Sequence, residues 1–116
     1  MNLIIAGSRN INEHGELARA VQNTKLKITK ILIGNAKGVD ALAENYAAIM
    51  KIPCDIIDAP WDKYGKPAGN IRNEKLTDQA DALLVVWDGK SDGTRSLIAM
   101  MNKKNKPVFL HLIKSV

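Results

Sequence analysis

Leu3-Ile4-Ile5-Ala6-Gly7-Ser8-Arg9 is the stretch that decides the fold. Successive side chains of a strand point to opposite faces, so four apolar residues in a row describe a strand covered on both sides. The glycine that follows frees the backbone to turn, and the polar residues after it leave the core. The same construction recurs along the chain. Ile31-Leu32-Ile33 stops at Gly34, Ile56-Ile57 follows Pro53, Ala82 to Trp87 stops at Asp88-Gly89, and Val108 to Ile113 forms the last run.

Longer amphipathic stretches separate these runs. Val39, Leu42, Ala43, Tyr46, Ala47 and Met50 recur at helical spacing, which places all six on one buried face. Leu97, Ile98 and Met101 repeat the pattern behind Asp92-Gly93-Thr94, with Thr94 as the expected N-cap. Leu17, Ala18 and Val21 mark a helix in the first crossover, and a further helix is expected over about 70–80. Alternation of this kind predicts an α/β fold: a single Rossmann-like, doubly wound, mostly parallel sheet of about five strands with helices on both faces. No repeat or linker interrupts it, so residues 1–116 are expected to form one domain.

Composition narrows the function. The chain has 116 residues, 46% apolar and 25% charged, which suits one domain with its own core. No apolar run approaches the roughly 18 to 20 residues of a membrane span, and Met1 to Gly7 lacks the basic flank and length of a signal peptide. A cytoplasmic protein without a membrane partner is therefore expected. Cys54 has no second cysteine to pair with, and His14 and His111 have no companions at metal-ligand spacing, so neither a metal nor a cofactor is expected. The net charge of +5 is carried mostly by residues 61–116, where 10 basic side chains face 6 acidic ones. Single-stranded nucleic acid calls for basic stripes interleaved with aromatics, and the only aromatics are Tyr46, Trp61, Tyr64, Trp87 and Phe109. Nucleic acid is thus not favoured as a partner. The tightest basic group, Lys103-Lys104-Asn105-Lys106, falls where a helix should end and is expected to compensate that helix's dipole.

Ligands of doubly wound sheets sit outside the carboxyl ends of the strands, and there the sequence becomes distinctive. Gly7-Ser8-Arg9 follows the first strand, Gly34-Asn35-Ala36-Lys37-Gly38-Val39-Asp40 the second, and Asp88-Gly89-Lys90-Ser91-Asp92-Gly93-Thr94 the fourth. Glycine turns that open helices offer unpaired N–H groups and a positive dipole end, which suit an anion. With the hydroxyls of Ser8, Ser91 and Thr94 and the charges of Arg9 and Lys37, the three turns make a cradle for a phosphate-bearing ligand. Their spacing matches neither the dinucleotide fingerprint nor a P-loop. A fourth segment, Pro60 to Glu74, is long and rich in proline and glycine, as a loop closing over a ligand would be. It brings Asn70, Arg72 and Asn73 to a helix start, where a guanidinium and two amides can meet phosphate oxygens or a nucleobase edge. Trp61 and Tyr64 are expected to pack rather than to stack on a base.

Gly7-Ser8-Arg9, Gly38-Val39-Asp40 with Ala43 and Ala47, Ala68-Gly69-Asn70-Ile71-Arg72-Asn73 and Asp92-Gly93-Thr94, in that order over nearly the whole chain, resemble the SLOG superfamily. That superfamily groups Smf/DprA and Lonely Guy proteins, and the chain is most similar to its small YspA/YpsA-related members. The resemblance implies a Rossmann-like sheet, homo-oligomers and a pocket for a nucleotide or nucleotide-derived ligand such as a signalling nucleotide. Two departures bear on activity. The second loop reads Gly34-Asn35-Ala36 where the family has paired glycines, and Leu97 occupies the position of the catalytic glutamate in the Lonely Guy hydrolases. Cleavage of an N-glycosidic bond needs a carboxylate against the ribose. A binding module is therefore the leading expectation, with a ligand set of Gly7, Ser8, Arg9, Asn35, Lys37, Gly38, Asp40, Asn70, Arg72, Asn73, Asp88, Gly89, Ser91, Asp92, Gly93 and Thr94. The alternatives are a hydrolase or transferase in which Asp40 or Asp92 replaces the glutamate, and DNA binding in the manner of DprA.

Overall fold

The computed structural model describes residues 1–7, 14–34, 38–59, 65, 67–89 and 92–113, with only the backbone of 14, 92 and 93. The strands are β1 (Asn2–Gly7), β2 (Lys30–Ile33), β3 (Cys54–Ile56), β4 (Ala82–Trp87) and β5 (Val108–Leu112). The helices are α1 (His14–Thr24), α2 (Val39–Met50), α3 (Ala68–Gln79) and α4 (Asp92–Lys103). All strand pairings are parallel and the sheet order is β3-β2-β1-β4-β5. This is the Rossmann-like sheet that the unbroken apolar runs predict. The order reverses at β1: the chain moves outward through β2 and β3, then returns to lay β4 on the other side. The carboxyl ends of β1 and β4 therefore flank the switch point, where such sheets open a crevice.

Strand parity divides the core into two layers. Leu3 and Ile5 of β1, Ile31 and Ile33 of β2, and Leu84 and Val86 of β4 face α1 and α2, where they meet Leu17, Val21, Val39, Leu42, Ala43 and Ala47. Ile4, Leu32, Leu83, Val85 and Trp87 face the other way and pack with Leu76 and Ala80 on the α3 side and Leu97 and Met101 of α4. Both faces of the three central strands are dry, which is why their sequences carry no polar alternation.

Several boundaries and burials differ from expectation. The third strand begins at Cys54 rather than Ile56, and Ile57 lies just beyond it, still donating its N–H to Ile33 at 2.8 Å. The last strand ends at Leu112, with Ile113 bonded back to Trp87 at 3.0 Å. In α2, Val39, Leu42, Ala43 and Ala47 are buried and Tyr46 is half-buried, but Met50 is 52% exposed. The chain reverses at Lys51, which adopts φ 57°, and Ile52 folds back to bond Ala47 and pack on the core in place of Met50. That is a Schellman turn, whose apolar contact comes from the residue after the left-handed one. In α1, Ala18 is half-buried and Ala20 lies in the core instead, between Leu17 and Val21. Thr94 does not cap α4: the helix begins two residues earlier, at Asp92, and Thr94 is buried within the first turn.

Helices α3 and α4 lie side by side and are tied at both ends. Near their starts, Ser96 Oγ donates to Asn70 Oδ1 at 3.4 Å. Near their ends, the Lys104 ammonium reaches Glu74 at 2.9 Å, Asp78 at 2.8 Å and the hydroxyl of Thr77. Lys106 donates to the carbonyls of Thr77 at 2.7 Å and Asp78 at 3.3 Å. Two lysines of the basic cluster thus compensate the C-terminus of α3, the neighbouring helix, rather than the end of their own. No helix among the described residues is long and apolar enough to cross a membrane.

Candidate functional site

Gly7 ends β1 at the switch point, register-paired with Val86 of β4. A Cβ on Gly7 would lie 1.8 Å from the Val86 carbonyl oxygen and 3.0 Å from Val39 at the start of α2. Nothing larger than glycine fits, because the obstacle is backbone. This close approach brings β1, β4 and α2 together at the rim.

At the end of β2, Gly34 plays a different part. A Cβ there would lie 2.9 Å from Arg72 Nη1, 3.1 Å from Arg72 Cζ and 3.2 Å from Asp40 Oδ2. Arg72 comes from α3 on one face of the sheet and Asp40 from α2 on the other. The ends of both side chains lie against the bare α-carbon of Gly34, at the carboxyl edge of β2.

Three buried side-chain polar atoms among the described residues have no hydrogen-bond partner: Arg72 Nε, Asn73 Oδ1 and Trp87 Nε1. Asn73 is 3% exposed and Trp87 8% exposed. A buried amide or indole N–H left unpaired costs about 1 to 3 kcal/mol, so such atoms are few in folded proteins and concentrate where something else supplies the partner. All three occur in residues at the carboxyl side of the sheet: two in the second turn of α3, one at the last position of β4.

The other residues of the expected ligand set are distributed as follows. Gly38 precedes α2 with φ 73°, and its carbonyl accepts from Leu42 at 3.0 Å. Asn70 is exposed and engaged with Ser96. Asp88 is half-buried just after β4. Gly89 has φ 90°, and its carbonyl accepts from Arg95 Nη2 at 3.1 Å. The backbones of Asp92 and Gly93 open α4, whose N-terminus carries the buried Thr94. Ser8, Arg9, Asn35, Lys37 and Ser91 lie outside the described residues, as do Trp61 and Tyr64. The structure therefore brings Gly7, Gly38, Asp40, Arg72, Asn73, Asp88 and Thr94 to the carboxyl side of the sheet.

The chain matches no protein-family model, no curated protein and no solved structure. Two residues at the rim, Gly34 and Trp87, were absent from the expected ligand set. Trp87 read as the end of an apolar strand, but an indole at a strand's last position beside Asp88-Gly89 places an N–H donor at the carboxyl end of the sheet. Gly34 read as a strand stop, and its contact with Arg72 spans residues far apart in sequence, so no local signal announces it.

Outside the rim, Cys54 begins the edge strand β3. Its thiol is pushed up from 9.0 by burial and then by the charges of Glu44, Asp55 and Asp40, which favours the protonated form. On the opposite edge, the Nε2–H of His111 on β5 donates to Glu16 of α1 at 2.8 Å. That hydrogen bond, aided by the charges of Arg19 and His111 and opposed by burial, holds the Glu16 carboxyl below its ordinary 4.5.

Proposed function

We propose that the carboxyl rim of this sheet binds a nucleotide or nucleotide-derived ligand, as a sensing or sequestering module of the kind the SLOG resemblance implies. The observation that carries the proposal is the set of buried, unpartnered atoms of Arg72, Asn73 and Trp87. They are two donors and one acceptor, each atom itself shielded from water, and a ligand group is the partner that would satisfy them. The switch-point position, the positive end of α4 and the Arg72 guanidinium support an anionic group on that ligand. Leu97 in place of the hydrolase glutamate favours retention over cleavage.

Thermal denaturation in the presence of mono-, di- and cyclic nucleotides and ADP-ribose derivatives tests this. A ligand at about a hundred times its Kd should stabilise the fold by about 2.7 kcal/mol. That corresponds to a rise in Tm of about 10 °C for a chain of this size. Arg72→Ala should abolish the rise while leaving the unliganded Tm within a few degrees. No stabilisation by any of these compounds would refute the proposal.

Self-association belongs to the same reading and has its own support. The two edges of the sheet differ. β3 is three residues long, and its exposed Asp55 pairs with Lys30 at 3.2 Å. β5 is five residues long, contains no Lys, Arg, Asp or Glu, and leaves Leu110 58% and Leu112 68% exposed on one face. Edge strands are ordinarily guarded by charge or brevity, and β5 has neither.

A further inference from the structure

Trp87 and Asn73 both lie on the α3–α4 side of the sheet. Trp87 shares an apolar cluster with Leu76 of α3 and Leu97 of α4, and Asn73 stands one turn before Leu76 on α3, itself buried. The N-terminal turns of α3 and α4 adjoin there through Asn70 and Ser96. An indole N–H can only donate and an amide oxygen can only accept. A bare phosphate would satisfy the indole but bring lone pairs against the Asn73 oxygen. A group with an acceptor and a donor side by side satisfies both.

Resting on the ligand reading above, we propose that the end of β4 between α3 and α4 is a neutral subsite. It takes the acceptor–donor edge of a heterocyclic base or carboxamide through Trp87 Nε1 and Asn73 Oδ1. The subsite gives the ligand a direction across the rim: its anionic part lies toward Arg72 over β2 and its uncharged heterocycle toward β4. Trp87 is then a specificity residue, because it adds affinity for the heterocycle and none for the sugar phosphate.

Calorimetry with ribose 5-phosphate, the common nucleoside monophosphates and nicotinamide mononucleotide separates the two ends, and the last two classes distinguish a nucleobase from a carboxamide. The intact protein should bind at least one heterocyclic nucleotide about tenfold or more tightly than ribose 5-phosphate, the worth of a satisfied hydrogen bond. Trp87→Phe, which keeps the ring and loses the N–H, should erase that ratio by weakening binding of the heterocyclic nucleotide far more than that of ribose 5-phosphate. Asn73→Asp keeps an acceptor and should retain the preference, whereas Asn73→Leu should lose it. In the unaltered protein, the Trp87 indole N–H proton resonance, assigned with Trp87→Phe, should move on adding the preferred nucleotide and stay in place with ribose 5-phosphate. Binding of ribose 5-phosphate with no gain from any heterocycle, or a ratio and indole resonance that do not respond, would overturn the subsite and leave the anion site standing. Binding of none of these compounds would overturn both.

Discussion

Two glycines with similar positions in the sequence pattern do different work. At Gly7 a side chain would meet the backbone oxygen of Val86, which cannot move without breaking the β1–β4 ladder. Gly7→Ala should cost about 3 kcal/mol or more, read from the midpoint of urea unfolding. At Gly34 the obstacles are the ends of two side chains, Arg72 and Asp40, which can shift. Gly34→Ala should therefore change stability by less than about 1 kcal/mol and weaken anion binding about tenfold by displacing the guanidinium. Equal effects of the two substitutions on stability would contradict this division between a glycine of the fold and a glycine of the site. Gly7, Asp40, Arg72 and Asn73 stand out in the sequence because each lies at a strand end or near a helix start. No local spacing pairs Gly34 with Arg72, because the two lie far apart in sequence.

Pairs of elements are joined by charges that the linear sequence assigned elsewhere. Lys104 and Lys106, in the cluster expected to compensate the end of their own helix, are engaged with α3. Partial burial acts to lower the Lys104 pKa, but the hydrogen bonds and charges of Asp78 and Glu74 outweigh it, so the net shift is upward from 10.5. A raised pKa means this contribution is complete below 10.5 and is lost as pH climbs through the folded value. Lys104→Met should cost about 0.5 to 1 kcal/mol near neutral pH, and leave any affinity for DNA measured at low salt unchanged. The α1–β5 tie has the opposite sign. With Glu16 held below 4.5 by His111, the unfolded chain takes up that proton first, so the pair contributes above about 4.5 and fades as pH falls through the folded value. Comparing Glu16→Gln with the parent by urea unfolding, the parent's advantage at about pH 6 should shrink toward zero at about pH 3. An advantage independent of pH would show that Glu16 acts by packing.

For the whole molecule, the unequal sheet edges bear on assembly. Leu110 and Leu112 face the α3–α4 side, in register with Val85 and Trp87, and continue the core's apolar surface past the last strand. Self-association through β5 predicts that analytical ultracentrifugation finds a dimer or larger species. The double substitution Leu110→Lys and Leu112→Lys should convert it to a monomer with its Tm within a few degrees. A monomeric parent, or a variant that stays associated, would remove β5 as the interface. One sheet joins strands drawn from Asn2 to Leu112.

The sequence by itself determined the class of fold and the glycine turns at the carboxyl ends of its strands, because strand and helix periodicities and glycine stops are local. Unbroken apolar runs can satisfy themselves only between two helical layers, and this forces a parallel sheet with its loops on one rim. Tertiary structure alone decided the order of the strands, the reversal at β1, the approach of Arg72 and Asp40 to Gly34, and the role of Lys104 and Lys106 at the neighbouring helix. It also decided that the polar atoms of Asn73 and Trp87 lie buried and unpaired. Burial and pairing depend on which distant segments come together, and no spacing along the chain encodes that.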